Sequence, residues 1–200
     1  PRADSVADFE HNLAAVRARM AAACQRAGVR LHLQTNKAKL VARFAAEFQA
    51  LDSVRLAEAL ERRLQAEGRA LDVYVQVNTS GEASKYGLHP DEAAAFIRQL
   101  PSYGALRVRG LMTLAVLSAD AARVRQCFVL LRTLRDRLRQ EAPAGVSLDE
   151  LSMGMSGDYE IAIEEGATVV RVGQAIYGAR ALPNDYYWPD SGAADRAEDE

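Results

Sequence analysis

Positions 151–158 read Leu-Ser-Met-Gly-Met-Ser-Gly-Asp, and positions 166–173 read Gly-Ala-Thr-Val-Val-Arg-Val-Gly. In each segment a short apolar run, typical of a buried strand, ends in small or hydroxyl-bearing residues. A helical pattern over 159–165 joins the two runs. Loops of this kind, with backbone N–H groups at the start of a helix, favour an anion, most often a phosphate group. The two segments therefore predict a phosphate-binding site between two neighbouring strand ends.

The candidate anchor residues lie in these two loops. Ser152 and Ser156 would add hydroxyl groups, and Gly154 and Gly173, which have no Cβ, would let the backbone approach a ligand closely. Arg171, at the end of the second run, would supply a fixed positive charge. The alternative interpretation of the Gly and Ser residues is an ordinary strand-to-helix turn, and that of Arg171 is a salt-bridged arginine at a strand end.

Strand and helix patterns alternate along the chain at intervals of roughly 30 residues, the length of a β–α unit. Strands are predicted over 48–51, 71–77, 106–114, 146–153 and 168–172, and helices over 6–27, from 36, after Ser53, from Pro90 and over 121–140. Because a helix follows each strand after Ser53, the sheet should be parallel. Polar residues that follow the strands then meet at one end, where (β/α) barrels and open α/β sheets place their sites. No Gly-x-Gly-x-x-Gly follows a first strand, which disfavours a dinucleotide-binding fold.

The composition is that of an ordinary globular domain. The 200 residues are 49% hydrophobic and 26% charged, enough for one domain with a substantial core. The net charge of −2 provides no general reason to bind nucleic acid or an anionic membrane. Cys24 and Cys127 fall on apolar helix faces, which favours buried thiols, and the histidines lack metal-ligand spacing. Without an apolar run of ~20 residues or a signal peptide, a cytoplasmic location is the default expectation.

Four ordered motifs carry a resemblance to a known family. They are Val-Asn-Thr-Ser-Gly-Glu-Ala-Ser-Lys-Tyr-Gly-Leu (77–88), Arg-Gly-Leu-Met-Thr-Leu (109–114), the segment 151–158 and the segment 166–180. Together with His-Leu-Gln-Thr-Asn-Lys (32–37), they resemble the pyridoxal phosphate homeostasis proteins of the YggS/PROSC type. The resemblance implies a (β/α)8 TIM-type barrel like the N-terminal domain of alanine racemase, as a single domain over 1–182. The acidic composition of 183–200 predicts a largely disordered tail.

The resemblance also implies a cofactor and its site. Members of the family bind pyridoxal 5′-phosphate (PLP) and are thought to buffer it or deliver it to PLP-dependent apo-enzymes, without established catalytic turnover. By analogy, Arg171 faces the pyridine nitrogen, and the phosphate is held by Ser152, Gly154, Met155, Ser156 and Gly173. Candidate pocket-lining residues are Asn78, Met112, Thr113 and His32. Because an arginine stays protonated, it disfavours a pyridinium, which suits a carrier, or a racemase-type enzyme that uses other help, better than a transaminase.

The chain departs from the family between Leu31 and His32, where Gly-Val-Arg-Leu joins His-Leu-Gln directly. About two β–α units are missing there, so that the barrel lacks strands 1–3 and the lysine that forms the aldimine with PLP. Three explanations remain open: a segment that the molecule contains is omitted from this sequence, the chain carries an internal deletion, or it is a natural shortened relative. We expect the first, because a barrel without three strands would expose open sheet edges.

The lysines present in the sequence are Lys37, Lys39 and Lys85. We expect them to be solvated rather than bonded to the aldehyde, because a nucleophilic lysine needs burial or a cationic neighbour to lower its pKa. The leading hypothesis is a PLP carrier. The alternative is a lysine-free remnant that binds a phosphate ligand or a partner protein. A racemase-type enzyme is disfavoured, because no second domain supplies the opposing tyrosine that such enzymes use.

We expect the purified protein to weigh several kilodaltons more than the 21.8 kDa of this sequence. The reason is that additional β–α units are needed to close a barrel of this type. Intact-protein mass spectrometry measures the difference directly. A measured mass equal to that of the sequence would instead favour a deletion or a short relative.

Overall fold

The computed structural model describes residues 45–82 and 85–177, together with residues 12, 15 and 19, which are helical. Strands and helices alternate through the described ranges. They are β1 (Glu47–Leu51), α1 (Val54–Ala66), β2 (Leu71–Gln76), α2 (Ala93–Ile97), β3 (Leu106–Met112), α3 (Ala121–Gln140), β4 (Glu150–Met155), α4 (Tyr159–Glu164), β5 (Val169–Arg171) and α5 (Gln174–Tyr177). A short 3-10 helix, Leu100–Ser102, precedes β3.

The strands form one parallel sheet in the order β1-β2-β3-β4-β5. Each strand pairs with the next one along the chain, without the reversal of strand order that marks a doubly wound sheet. Sequential order with a helix after each strand is the arrangement of a (β/α) barrel. The described strands therefore form part of such a barrel, which confirms the predicted fold class.

The main hydrophobic core lies between the sheet and its helices. Every second residue of β2 points into this core, as strand geometry requires: Leu71, Val73 and Val75. Helix α3 contributes Phe128 and Leu131, and neither side chain has any exposed surface. Burying this apolar surface is the dominant favourable contribution to the stability of the domain.

The opposite face of the sheet is the interior of the barrel. It carries a smaller apolar group, consisting of Tyr74, Met112 and Val169. Ser152 is in register with Met112 on one side and with Val169 on the other. Since residues in register point to the same face, the side chain of Ser152 also lies in the interior.

Local capping explains where two of the predicted helices begin. The hydroxyl of Ser53 accepts the N–H of Leu56 at 3.4 Å at the start of α1. The carboxylate of Asp120 accepts the N–H of Ala122 at 2.9 Å at the start of α3. Side-chain acceptors of this kind satisfy N–H groups that have no partner within the helix. Both helices begin within a residue of their predicted positions.

Two predicted boundaries are wrong by three or four residues. Helix α2 begins at Ala93 rather than at Pro90, because residues 90–92 form turns. Strand β4 begins at Glu150 rather than at 146. In the residues before β4, the hydroxyl of Ser147 donates to the carboxylate of Asp149 at 2.6 Å. Such a local side-chain hydrogen bond is typical of a turn rather than of a β-strand.

Several predictions lie outside the described residues: the helix from 36, the junction between Leu31 and His32, Lys37, Lys39 and the tail 183–200. Of the helix predicted over 6–27, Arg19 is described, and its Nε donates to Glu160 at 3.0 Å. This contact places the side chain of Arg19 beside α4. None of the helices in the described ranges is long and apolar enough to cross a membrane.

A glycine allows β3 and β4 to pair closely. A Cβ added to Gly110 would lie 1.9 Å from the carbonyl oxygen of Glu150, on the facing strand. Because that oxygen belongs to the backbone, it cannot move aside as a flexible side chain would. Any larger residue at position 110 therefore forces the two strands apart.

We expect Gly110→Ala to lower the free energy of unfolding by about 3 kcal/mol or more, because the new methyl group overlaps the backbone of β4. Gly104→Ala is the matched control, since a Cβ there meets nothing within 4 Å. That variant should change stability by less than about 1 kcal/mol. Urea unfolding measures both. Equal stability of the two variants would contradict the described pairing of β3 with β4.

Candidate functional site

The loops that follow β4 and β5 meet at the carboxyl end of the sheet. The hydroxyl oxygen of Ser156, after β4, accepts the N–H of Gly173 at 3.3 Å and the N–H of Ala175 at 3.1 Å. The structure therefore brings together the two loops that the sequence singled out. Ser156 also ties the start of α5 to the loop after β4.

The loop after β4 is held in a tight turn by Asp158. The N–H of Met155 donates to the carboxylate of Asp158 at 2.6 Å, and the N–H of Asp158 donates to the carbonyl of Met155 at 3.1 Å. The predicted donor at Met155 is thus already engaged. The N–H groups of Ser156 and Gly157, by contrast, donate to no acceptor among the described residues. These two groups are the donors that an anion could use.

The two predicted glycines serve different purposes. Gly154 has a φ of +96°, and a Cβ there would lie 2.6 Å from Cβ of Ala162 and 2.9 Å from Cα of Tyr159. Its missing side chain is therefore needed for α4 to pack on β4, not for the approach of a ligand. At Gly173 an added Cβ would meet no described atom within 4 Å. Of these two glycines, Gly173 is the one that borders open space among the described atoms.

Ser152 lies inside the sheet rather than in the loop. Its side chain has no exposed surface, and its hydroxyl donates to Oε1 of Gln49 at 2.6 Å. The hydroxyl oxygen of Ser152 also accepts a hydrogen bond from Nη1 of Arg171 at 2.5 Å. Because the hydroxyl is committed to two protein partners, the predicted role of Ser152 as a phosphate ligand does not fit its position. Its contacts instead make it part of the support of Arg171.

Arg171 points its guanidinium into the interior of the barrel. In addition to Ser152, it donates from Nη2 to the carbonyl of Thr113 at 2.9 Å. Burial lowers the pKa of Arg171 from 12.5 to about 10, and the nearby carboxylate of Asp158 opposes that shift. At neutral pH the group is still protonated. The site therefore contains a positive charge that is fixed by two hydrogen bonds.

Lys85 differs from the expectation of a solvated lysine. Its side chain is only 25% exposed, and Nζ contacts the carboxylate of Glu82 at 2.7 Å. It also donates to the carbonyl of Ala115 at 2.8 Å. The charge of Lys85 also acts on the carboxyl of Asp158 in the loop after β4. Burial raises the pKa of Asp158, and the hydrogen bond from Met155 and the charges of Arg171 and Lys85 oppose that rise. Lys85 is thus a tethered cation near the same loops.

The candidate pocket-lining residues are mostly engaged in structural contacts. The amide of Asn78 bonds to Ser80, Glu82 and Lys85 and so shapes the loop after β2. Met112 packs in the interior apolar group. The hydroxyl of Thr113 donates to the carbonyl of Val77 at 2.7 Å. His32 lies outside the described residues.

Two residues of the site were not singled out from the sequence. Gln49 is a fully buried polar side chain between the apolar residues Phe48 and Ala50, and that break in the pattern was a usable signal. Asp158 stands three residues after Met155, the spacing of a side-chain turn, but its target could be identified only from the structure. No cluster of three His, Cys, Asp or Glu side chains suited to a metal occurs within the described ranges.

Comparisons with known proteins show which sequences and structures this chain is similar to. Residues 10–181 match the family described as alanine racemase, N-terminal domain. A pyridoxal phosphate homeostasis protein of Pasteurella multocida is 38% identical over 148 residues, which are 74% of this chain and 63% of that protein. The structure of PipY from Synechococcus elongatus with PLP bound is 36% identical, with a TM-score of 0.63 over 74% of this chain and 68% of that chain.

A solved structure of a protein from Bifidobacterium adolescentis, described only as unknown, is 26% identical and has a TM-score of 0.78. It matches 88% of this chain and 98% of that chain. The chain spans less than two thirds of the length of the P. multocida relative and of an Aquifex aeolicus relative, 63% and 64% respectively. These similarities confirm the resemblance that the sequence motifs indicated.

We expect Ser156→Ala to lower the free energy of unfolding by about 1 kcal/mol, because Gly173 and Ala175 lose their shared acceptor. Ser147→Ala is a suitable comparison, since that serine also makes local hydrogen bonds but lies ahead of β4 at the other end of the strand. Chemical unfolding at neutral pH measures both variants. Amide hydrogen exchange should rise at Gly173 and Ala175 only in Ser156→Ala. Unchanged exchange at those two amides would contradict the described contact.

Proposed function

The chain belongs to the family of the alanine racemase N-terminal domain, and we propose that it binds PLP and acts in its homeostasis as a buffer or carrier. The site we propose lies at the carboxyl ends of β3, β4 and β5. The names of the relatives, and the PLP in the PipY structure, support this choice of ligand. The apo-enzymes that depend on PLP are the proposed recipients.

The observation that carries the proposal is the convergence of Ser156, Gly173 and Arg171. The hydroxyl oxygen of Ser156 lies 3.3 Å from the nitrogen of Gly173, beside the open space that the glycine leaves. The N–H groups of Ser156 and Gly157 are available as donors within the described part of the chain. A phosphate dianion needs several donors of this kind, and charged acceptors form the stronger hydrogen bonds. The residues present therefore fit the phosphate of PLP.

Arg171 suits the ring of the cofactor. We propose that its guanidinium faces the pyridine nitrogen, where a permanent positive charge opposes protonation of that nitrogen. Bound PLP would supply an aldehyde that condenses with amines and a ring that withdraws electrons from them. By keeping the ring nitrogen unprotonated, Arg171 weakens that electron withdrawal. Such a site holds the cofactor without favouring reactions of bound amino acids.

The proposed grip on the phosphate and ring does not depend on a lysine. Lys85 Nζ is already bonded to Ala115 and Glu82, so the described residues offer no free amine at the site. A covalent bond to the aldehyde would use the lysine that the family places in the segment missing between Leu31 and His32. Binding and covalent attachment are therefore separable properties of this protein.

We expect the purified protein to bind PLP in a calorimetric titration, and inorganic phosphate to compete with it. Ser156→Ala should weaken binding by roughly tenfold, as expected for the loss of one hydrogen bond to a charged group. Ser147→Ala should bind PLP as the unmodified protein does, because Ser147 lies at the opposite end of β4. Pyridoxal, which lacks the phosphate, should bind much more weakly than PLP.

Two outcomes would contradict the proposal. One is a protein that takes up no PLP, and the other is equal affinity for pyridoxal and PLP, which would remove the phosphate anchor. Borohydride reduction of the complex followed by mass spectrometry then separates the two modes of binding. A covalent adduct indicates capture of the aldehyde, and its absence indicates a module that holds the phosphate and ring alone.

A further inference from the structure

A row of hydrogen-bonded polar groups crosses the interior face of the sheet from β1 to β5. Glu47 accepts from Nε2 of Gln49, and Oε1 of Gln49 accepts the hydroxyl of Ser152 at 2.6 Å. The oxygen of Ser152 accepts Nη1 of Arg171 at 2.5 Å, and the other end of the guanidinium reaches the carbonyl of Thr113 at 2.9 Å. We call the groups of Gln49 and Ser152 the relay.

The relay lies between two charged groups, the carboxylate of Glu47 and the guanidinium of Arg171, and these determine the direction of each of its hydrogen bonds. The carboxylate of Glu47 is an acceptor only, so the amide of Gln49 must turn its N–H₂ toward it. The amide oxygen then faces Ser152 and takes its hydroxyl proton, which leaves a lone pair of Ser152 for Arg171. Each member thus orients the next.

Burial makes these bonds costly to break. Gln49, Ser152 and the side chain of Thr113 have no exposed surface. Water cannot easily replace a lost partner at such positions, and an unsatisfied buried polar group costs more than the bond itself contributes. A glutamine that is fully buried in β1 therefore needs an explanation beyond packing.

We propose that Gln49 and Ser152 are positioning residues, which hold the guanidinium of Arg171 in one orientation toward the pyridine nitrogen of bound PLP. This inference rests on the proposed function. An arginine side chain has several rotatable bonds, and the carbonyl of Thr113 alone restrains only one end of its guanidinium. The hydroxyl of Ser152 supplies the second contact, and Gln49 ensures that this hydroxyl presents a lone pair rather than a proton.

The relay should therefore control protonation of the ring nitrogen. With both contacts intact, the positive charge stays against the nitrogen and opposes its protonation. Without Ser152 or Gln49 the guanidinium can move away, and the nitrogen binds a proton more readily. The effect is on the ring, at a distance from the loops that hold the phosphate.

The test uses 4′-deoxypyridoxine 5′-phosphate, a PLP analogue without the aldehyde, so that no lysine is involved. Its ultraviolet absorption reports whether the ring nitrogen is protonated. We expect Ser152→Ala and Gln49→Met to raise the proton affinity of the bound nitrogen by roughly fivefold to tenfold, the worth of one hydrogen bond. Ser152→Thr, which retains the hydroxyl, should behave as the unmodified protein does.

Gln76→Met is the matched control. Gln76 is also a buried glutamine of the sheet, 4% exposed, but its amide donates to the carbonyl of Tyr86 and not to the relay. This variant should leave the spectrum of the bound analogue unchanged, and thermal unfolding confirms that each variant is folded. If the unmodified protein binds neither PLP nor the analogue, the proposed function is wrong, and if it binds PLP but not the analogue, the proposed non-covalent site and the positioning role that depends on it are overturned. If it binds and Ser152→Ala and Gln49→Met leave the proton affinity unchanged, only the positioning role is overturned.

Discussion

The half-buried guanidinium of Arg171 is the constraint around which the interior of this sheet is arranged. A charge removed from water is costly unless it is hydrogen-bonded or paired. Its partners are the hydroxyl of Ser152 in β4 and the carbonyl of Thr113, the residue that follows β3, with the carboxylate of Asp158 nearby in the loop after β4. Because each partner must be in place, the register of β3, β4 and β5 and the nature of their interior residues are linked to this one side chain.

Residues that look equivalent in the motifs divide into two groups in the fold. Ser152 and Gly154 support the structure, one by bonding Arg171 and the other by giving α4 room to pack. Ser156 and Gly173 lie at the strand ends, where they meet each other and border open space. The guanidinium of Arg171 and the loops of the proposed phosphate site therefore have separate structural supports.

The similarity to known proteins gives this arrangement its functional meaning. The chain spans 63% of the length of the P. multocida relative, and the described strands run in the sequential order of a barrel. The carboxyl ends of parallel strands are where barrels of this type carry their sites. The two loops that meet at that end, after β4 and β5, are the ones in which we propose the phosphate site.

The barrel was implied by the family resemblance, whereas the alternating strands and helices, the parallel sheet and the prediction that the loops of Ser156 and Gly173 meet came from the residues themselves. Those features depend on local patterns: apolar periodicity, strand ends rich in small residues, and capping serines such as Ser53. The starts of α2, near Pro90, and of β4 were predicted too early. Local side-chain hydrogen bonds in the preceding turns compete there with the regular backbone hydrogen bonds of helix and sheet.

Only the tertiary structure decided which of the candidate residues face open space and which are structural. Ser152 bonds to Gln49, which is distant in the sequence, and Gly154 lies against Ala162 on another element. A local sequence pattern does not indicate such contacts. The burial of Lys85 and the engagement of Asn78 likewise arise from loops folding over one another. Hydrogen bonds between distant residues are set by packing, so their partners can be read only once the strands lie side by side.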